Sequence, residues 1–333
     1  MELPFHLRTA IENELASQST NRLAALVAEL SERYRTGIPL NEGKYLRSHE
    51  DVTAYAVFRL PATFAAIYSA ISQIKDRSPH WNPKTLLDVG AGPGTAMWAA
   101  STLWTDLEHI TLLEQEECMI DFGKRLSTHS PLTSVQKAKW IKVDITRTWE
   151  VSPHELVFAS YVLNELPLDR RVTFIQQLWE STGDILVIIE PGTPAGFLRI
   201  KQAREQLIAI GAKTIAPCPH DKPCPLDESD WCHFSQRVAR TRLHRKVKAG
   251  ELSYEDEKFS FLCMSHTSGT AIKGLVIRHP QVRKGHIHLK LCTSGGLTST
   301  VVTRKDRELF RETRELHWGS IIPLSNTSYK TKF

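Results

Sequence analysis

Along the first 80 positions apolar residues recur at three- and four-residue steps, the spacing of one helix face. Leu23, Leu26, Val27, Leu30 and Tyr34 form such a stripe. A second helix is predicted to start at Ser48, with Asp51 three residues on as its capping partner, and to be interrupted at Pro61. From residue 84 the pattern changes. Short apolar runs at Thr85–Val89, Ile110–Leu113, Trp140–Val143, Leu156–Ala159 and Ile185–Ile189 alternate with helix-length segments at 94–103, 116–126 and 167–180. Such alternation implies right-handed crossovers and a mostly parallel, doubly wound sheet. After Glu190 the chain is irregular and rich in proline and cysteine to about residue 235. Strand-like runs return at Phe259–Met264, Leu275–Arg278, Ile287–Leu291 and Thr298–Val302. Four regions follow: helical 1–80, a Rossmann-like core 81–200, a Cys-rich segment 201–265 that returns to the sheet, and a basic β-rich part 266–333.

The most informative local pattern is Leu86-Leu-Asp-Val-Gly-Ala-Gly-Pro-Gly-Thr95, a buried strand running into alternate glycines and then a helix. Without a Cβ, those glycines let the backbone turn sharply and approach a ligand closely. A dinucleotide fingerprint needs glycine at 95, where this chain has threonine; its glycines are Gly90, Gly92 and Gly94. Asp88 would repel a pyrophosphate but suits the ammonium of a methionine moiety, which favours S-adenosylmethionine. Glu114 closes the second strand, placed to accept from ribose hydroxyls, and Asp144 closes the third. The Asp144 carboxylate could take the adenine amino group while the Ile145 N–H faces a ring nitrogen. Each acid alone reads as a surface residue; three at successive strand ends read as a site. The fourth strand ends in Ser160-Tyr-Val-Leu-Asn-Glu-Leu-Pro167, where a class I methyltransferase faces its acceptor. Ser160 is assigned to the cofactor side, Asn164 to orienting an exocyclic amine and Glu165 to a base or a helix cap. The fold expected is therefore α/β, a class I S-adenosylmethionine-dependent methyltransferase with a helical N-terminal region, a Cys-rich metal-binding insertion and a small β-rich C-terminal part.

Six cysteines change this picture. Cys218, Cys224 and Cys232 fall in one proline-stiffened stretch and Cys263 follows in a strand-like run, with His220 and His233 as substitute ligands. Thiolates bind borderline and soft metals, and the spacing leaves zinc and an iron–sulfur cluster both open. The plain alternative is three loop cysteines and one buried one. Cys118 and Cys292 read as ordinary helix and strand residues.

At 333 residues, 41% hydrophobic and 24% charged, the composition is that of a globular chain able to bury a full core. With no apolar run near the ~18 residues of a membrane span and no leader-like N-terminus, a cytoplasmic location is expected by default. The formal net charge is +5, unevenly spread. Arg237, Arg240, Arg242, Arg245, Lys246 and Lys248 run without an acid between them, and from residue 270 onward 12 Lys or Arg face 4 Asp or Glu. Such segments suit phosphate neutralisation or a solvated face.

Taken together, the Tyr55–Arg59 helix, the glycine turn, Ser160–Pro167, Glu190-Pro-Gly-Thr-Pro-Ala-Gly-Phe197, the Pro-Cys-Pro-His run and Arg314-Glu-Leu-His-Trp-Gly319 carry a resemblance. The chain resembles the mitochondrial ribosomal small-subunit protein 22 and methyltransferase-like protein 17 family, including its bacterial relatives. That resemblance implies a small-subunit assembly factor that contacts rRNA and ribosomal proteins, is a monomer off the ribosome, and binds S-adenosylmethionine. It also implies a four-iron–four-sulfur cluster on Cys218, Cys224, Cys232 and Cys263. Three functions stay open: an rRNA methyltransferase, a non-catalytic rRNA-binding scaffold, and a small-molecule methyltransferase, against which the basic segments count.

Overall fold

The computed structural model describes residues 1–16, 19–36, 48–240 and 252–323. They fall into two compact units, one of residues 1–69, 82–160 and 236–257, the other of residues 70–81, 161–235 and 258–333. The first unit opens with helices α1 (Phe5–Leu15), α2 (Thr20–Thr36) and α3 (His49–Phe58). The expected stripe holds: Leu23, Val27 and Leu30 are buried on α2. The Tyr34 side chain lies outside the described residues. Ser48 caps α3, its Oγ accepting from the Asp51 N–H at 3.2 Å, as the spacing predicts. The helix breaks at Arg59, and Pro61 falls in the first turn of α4 (Leu60–Arg77), where a missing N–H is harmless.

No single described helix is long and apolar enough to cross a membrane. The α3–α4 pair, bent by 51°, reaches that composition only when both are taken together. Its apolar side chains, among them Val52, Leu60, Phe64, Ile67 and Ile71, are buried in the protein.

The glycine turn follows β1 (Thr85–Val89) and leads into α5 (Thr95–Leu103). β2 (His109–Glu114), α6 (Glu117–Ser127), the short α7 (Thr133–Gln136), β3 (Lys139–Lys142) and β4 (His154–Ser160) complete the unit's α/β part. The strand order is β3-β2-β1-β4, all parallel, with Asp88 opposite both Leu112 and Phe158 and Glu114 opposite Lys142. Buried along almost their whole length, the central strands β1 and β2 read as near-continuous apolar runs rather than alternating ones, while the edge strand β3 is not buried. Arg125 of α6 ties the helical region to this core through Glu14 of α1 at 2.9 Å.

The second unit holds α8 (Leu168–Glu180), β5 (Thr182–Pro191), α9 (Pro194–Ala209), β6 (Lys213–Ala216) and most of β8 (Tyr254–Ser265), β7 being Phe234–Ala239. β8 lies between β5 and β6, antiparallel to both. A separate sheet of β9 (Ile272–Val276), β10 (Gln281–Arg283), β11 (His286–Thr293), β12 (Gly296–Thr303) and β13 (Ile321–Pro323) follows. Helix α10 (Arg307–Glu315) covers one face of it, burying Leu309 and Phe310 with Ile287, Leu289, Leu291 and Val302.

Gly196 shows how tightly α9 seats on the end of β5: a Cβ there would stand 1.9 Å from the Pro191 carbonyl oxygen. Thr193 caps the same turn through the Gly196 N–H. Gly196→Ala should lower the free energy of unfolding by at least about 1–3 kcal/mol, the usual cost of overpacking. Urea denaturation of the two proteins measures it; equal midpoints and slopes would show that the turn relaxes freely.

Candidate functional site

Asp88, Gly90, Gly92, Gly94, Glu114, Asp144, Ile145 and Ser160 all lie in the first unit, at the carboxyl ends of its parallel strands. This is the edge where open α/β sheets bind ligands. Asp88 is buried, and its Oδ2 has no hydrogen-bond partner among the described residues. Burial pushes its carboxyl up to about 8, and repulsion from Glu114 adds to the shift. Ser160 ends β4 two positions past Phe158, the partner of Asp88, and its Oγ is also buried without a partner. The Thr95 hydroxyl at the start of α5 is the same. Buried polar groups left unpaired cost free energy, so three of them around one turn call for a polar ligand.

The turn itself has one shape. Gly90, Gly92 and Gly94 have φ of 74°, 53° and 81°, a region that side chains other than glycine rarely adopt. Gly90 and Ala91 both donate to the Leu113 carbonyl, at 2.9 and 3.0 Å, which pins the turn to β2. At Gly92 a Cβ would meet nothing within 4 Å, so the space beside this residue is open.

Glu114 is buried at the tip of β2, and its carboxylate is largely committed. Oε2 accepts from the Gly92 N–H at 2.8 Å, and Oε1 accepts from Gln115 and Glu116 at 2.9 and 2.8 Å. Burial pushes its pKa up while these three N–H groups oppose the shift. A carboxylate offers about four acceptor positions, so as placed it has room for one ribose hydroxyl rather than two.

Asp144 stands one tip further on, with Val143 N–H donating to the Glu114 carbonyl at 3.0 Å. It is half-exposed, and its Oδ1 accepts from the Thr146 hydroxyl and N–H at 2.6 and 3.0 Å. The hydroxyl bond holds its pKa below the usual range, and Arg147 pairs with it at 3.3 Å. Ile145 is partly buried beside it. Hydrogen bonds thus join Glu114 to the glycine turn, Asp88 lies buried near enough to feel the charge of Glu114, and Asp144 is turned towards its own loop.

Asn164 and Glu165 belong to the second unit, where both are exposed in the turn between β4 and α8; the Glu165 N–H donates to Val162 at 2.9 Å. What holds this turn escaped the sequence reading. Glu190, wholly buried at the end of β5, accepts from the Leu163 N–H at 3.0 Å through Oε1 and pairs through Oε2 with Arg199 Nε at 2.6 Å. Tyr161 takes φ of 63°, and its N–H donates to Ile189 at 2.7 Å. The available signal was an acid closing an otherwise apolar strand, with an arginine nine residues on.

The metal-binding expectation fails. Among the described residues no group of three or more His, Cys, Asp or Glu side chains is placed to hold a metal ion. Among the described residues the expected Cys-rich metal-binding insertion is therefore not formed, and neither a four-iron–four-sulfur cluster nor zinc is supported. Cys218, Cys224 and Cys232 do line one cavity of about 40 Å³, but its fourth cysteine is Cys292 and not Cys263. The walls are mostly apolar, with Phe197, Phe234, Phe261 and Leu275 among them. Burial pushes the Cys218, Cys232 and Cys263 thiols up and Cys292 up to about 12, so the protonated form is favoured. His233 is taken up by ring contacts with Trp231 and Trp318, and His220 Nε2 lies 3.9 Å from Cys292 Sγ. Cysteine count and proline spacing pointed to a ligand set; the side-chain placement does not form one.

Of the basic run, Arg237 pairs with Asp256 at 2.9 Å and Arg240 with Glu255 at 3.0 Å. Arg242, Arg245, Lys246 and Lys248 lie outside the described residues.

Comparison with known proteins places this geometry. The family described as mitochondrial small ribosomal subunit Rsm22 matches residues 49–323. This chain belongs to the Rsm22 family. Within reach of that family, the human mitochondrial ribosome assembly protein METTL17 is 30% identical over 294 residues, covering 82% of this chain and 63% of its own. A mitochondrial Rsm22-cox11 tandem protein of Schizosaccharomyces pombe is 23% identical, over 96% of this chain and 48% of its own. The mitochondrial ribosome assembly protein RSM22 of Saccharomyces cerevisiae is 20% identical, over 83% of this chain and 67% of its own. The chain thus spans between about half and two thirds of the length of these relatives. All are mitochondrial by name, which overturns the cytoplasmic location expected above. That expectation rested on the composition of the first residues, which identifies no compartment.

The Asp88 shift has a testable sign. A carboxyl raised in the folded state stabilises the fold fully below the ordinary carboxylate range and loses that contribution as pH rises towards its folded pKa, here about 8. Without ligand, the melting temperature of the parent protein should therefore fall relative to Asp88→Asn as pH is raised from about 4 to about 8. Parallel melting profiles for the two proteins would show that Asp88 is not buried as described.

Proposed function

We propose that this Rsm22-family chain binds S-adenosylmethionine at the glycine turn of its first unit and works on the small ribosomal subunit during its assembly. The observation that carries the cofactor reading is the buried, unpartnered Asp88 carboxyl beside an open glycine turn. A methionine ammonium would supply the missing partner and charge. Ser160 and Thr95 offer the neighbouring polar contacts, Glu114 a ribose hydroxyl, and Asp144 with the Ile145 N–H the adenine edge. When bound, S-adenosylmethionine supplies a methyl group on a sulfonium centre. This chain's part is to hold the nucleoside at the tips of the first unit's strands; Asn164 and Glu165, in a turn held by Glu190 in the second unit, are the residues proposed for the acceptor.

The ribosomal reading is supported by family membership and by two relatives named as ribosome assembly proteins. Their partners, rRNA and ribosomal proteins, are carried to this chain as part of the proposal. Transfer of the methyl group to rRNA is the catalytic form of the reading, and a binding-only scaffold is its other form. Asn164 and Glu165 are both exposed in their turn, open to an acceptor in the catalytic form of the reading.

Calorimetry should show S-adenosylmethionine binding by the parent protein and its loss, by at least about tenfold in affinity, in Asp88→Ala, since a charge-assisted hydrogen bond is removed. Unchanged affinity refutes the assignment. Small-subunit particles from a deletion strain, incubated with the protein and methyl-labelled S-adenosylmethionine, separate the two forms: label in rRNA establishes an enzyme, co-sedimentation without label a scaffold.

A further inference from the structure

The β9–β13 sheet has two unlike faces. One carries Ile287, Leu289, Leu291 and Val302 and is covered by α10. On the other, β10, β11 and β12 lie side by side, and their register sets out rows. Arg283 stands opposite His286, which stands opposite Thr303; Gln281 stands opposite His288, which stands opposite Val301. Directly paired residues in a sheet project to the same side. Arg283, Gln281, His288 and Val301 are exposed, Val301 at 43%, so the end of the ribbon next to the β10–β11 turn is open, whereas Lys290 and Cys292 at the other end pack against Asp230 and His220. The His286 and His288 rings are in contact, 5.0 Å apart at 73°.

One end of the ribbon is strongly basic. Lys284 follows Arg283 in the β10–β11 turn, and Arg304 and Lys305 follow Thr303 at the end of β12. The two turns are joined, since the Arg304 N–H donates to the Gly285 carbonyl at 3.0 Å. All four cations are exposed, and none has an ion pair among the described residues. The nearest acid in sequence, Asp306, spends its carboxylate capping α10 through the Leu309 N–H at 3.2 Å. Arg237 and Arg240, by contrast, are each paired with an acid.

We propose that this open ribbon is a binding surface for an unpaired RNA segment. Arg283, Lys284, Arg304 and Lys305 neutralise its phosphates, and the His286–His288 pair offers ring faces on which bases stack. Uncompensated cations at one end and planar rings beside an exposed apolar residue are the two elements of sequence-tolerant single-strand recognition. An acidic peptide would engage the cations but gain nothing from the rings. The proposal rests on the rRNA reading above and assigns it a place in the second unit.

The test uses the full chain and a fluorescein-labelled single-stranded RNA of about a dozen nucleotides and mixed sequence, within the ~4–16 nucleotides such surfaces hold. Anisotropy titrations are run over a salt series, with circular dichroism melting as the check on folding. Replacing all four cations (Arg283→Gln, Lys284→Gln, Arg304→Gln, Lys305→Gln) should flatten the plot of log affinity against log salt by about 3, four phosphates at ~0.7 each. His286→Ala with His288→Ala should weaken binding between about 5-fold and about 100-fold while leaving that slope unchanged. If both variants bind as the parent does, the ribbon is not the surface, though RNA binding by the chain stands. If the parent binds duplex but not single-stranded RNA, or polyglutamate competes as well as unlabelled RNA, the proposal is overturned. If the parent binds no RNA and does not co-sediment with small-subunit particles, the ribosomal reading falls with it.

Discussion

A carboxyl group taken out of water must find a partner or give up its charge. At the tip of β1 the chain does neither completely: Asp88 is enclosed, has one oxygen unpartnered and faces the charge of Glu114. The surrounding backbone is specialised to keep this arrangement. Three left-handed glycines fold the chain back over β2, and Glu114 is fixed by three backbone N–H groups rather than by a cation. Had a lysine or arginine been supplied here, the tip would be a structural ion pair. The acid left unsatisfied at this tip is the feature on which the proposed cofactor site rests.

Much of this was legible in the sequence because it follows from short-range rules. Apolar runs of strand length gave β1 to β5, and three- and four-residue spacing gave α2. A serine three residues before Asp51 gave the α3 cap. Glycine at alternate positions gave the turn. What was not legible depended on contacts between distant positions. That Glu114 uses most of its acceptor capacity on its own backbone is a fact of loop closure, invisible in a count of acids at strand ends. The Asp144 turn towards Thr146 is of the same kind.

The cysteines show the limit from the other side. Cys218, Cys224 and Cys232 were grouped by nearness in sequence, and they do share a cavity. Cys263 was added because it comes next in the chain, yet it does not line that cavity although its neighbours Phe261 and Leu262 on β8 do, and β11 brings Cys292 instead. Residue type and spacing can nominate metal ligands, but coordination is decided by where the thiols point and whether they ionise. Here the walls are apolar and no ligand group forms among the described residues.

The Glu190–Arg199 pair carries a mechanical consequence. Through it, the turn bearing Asn164 and Glu165 is bolted to the first turns of α9, and the bolt is sealed from solvent. Shifting that turn would mean prising apart opposite charges where water cannot replace either, a cost of several kcal/mol. The turn is therefore a fixed ledge rather than a flap, held from inside its own unit.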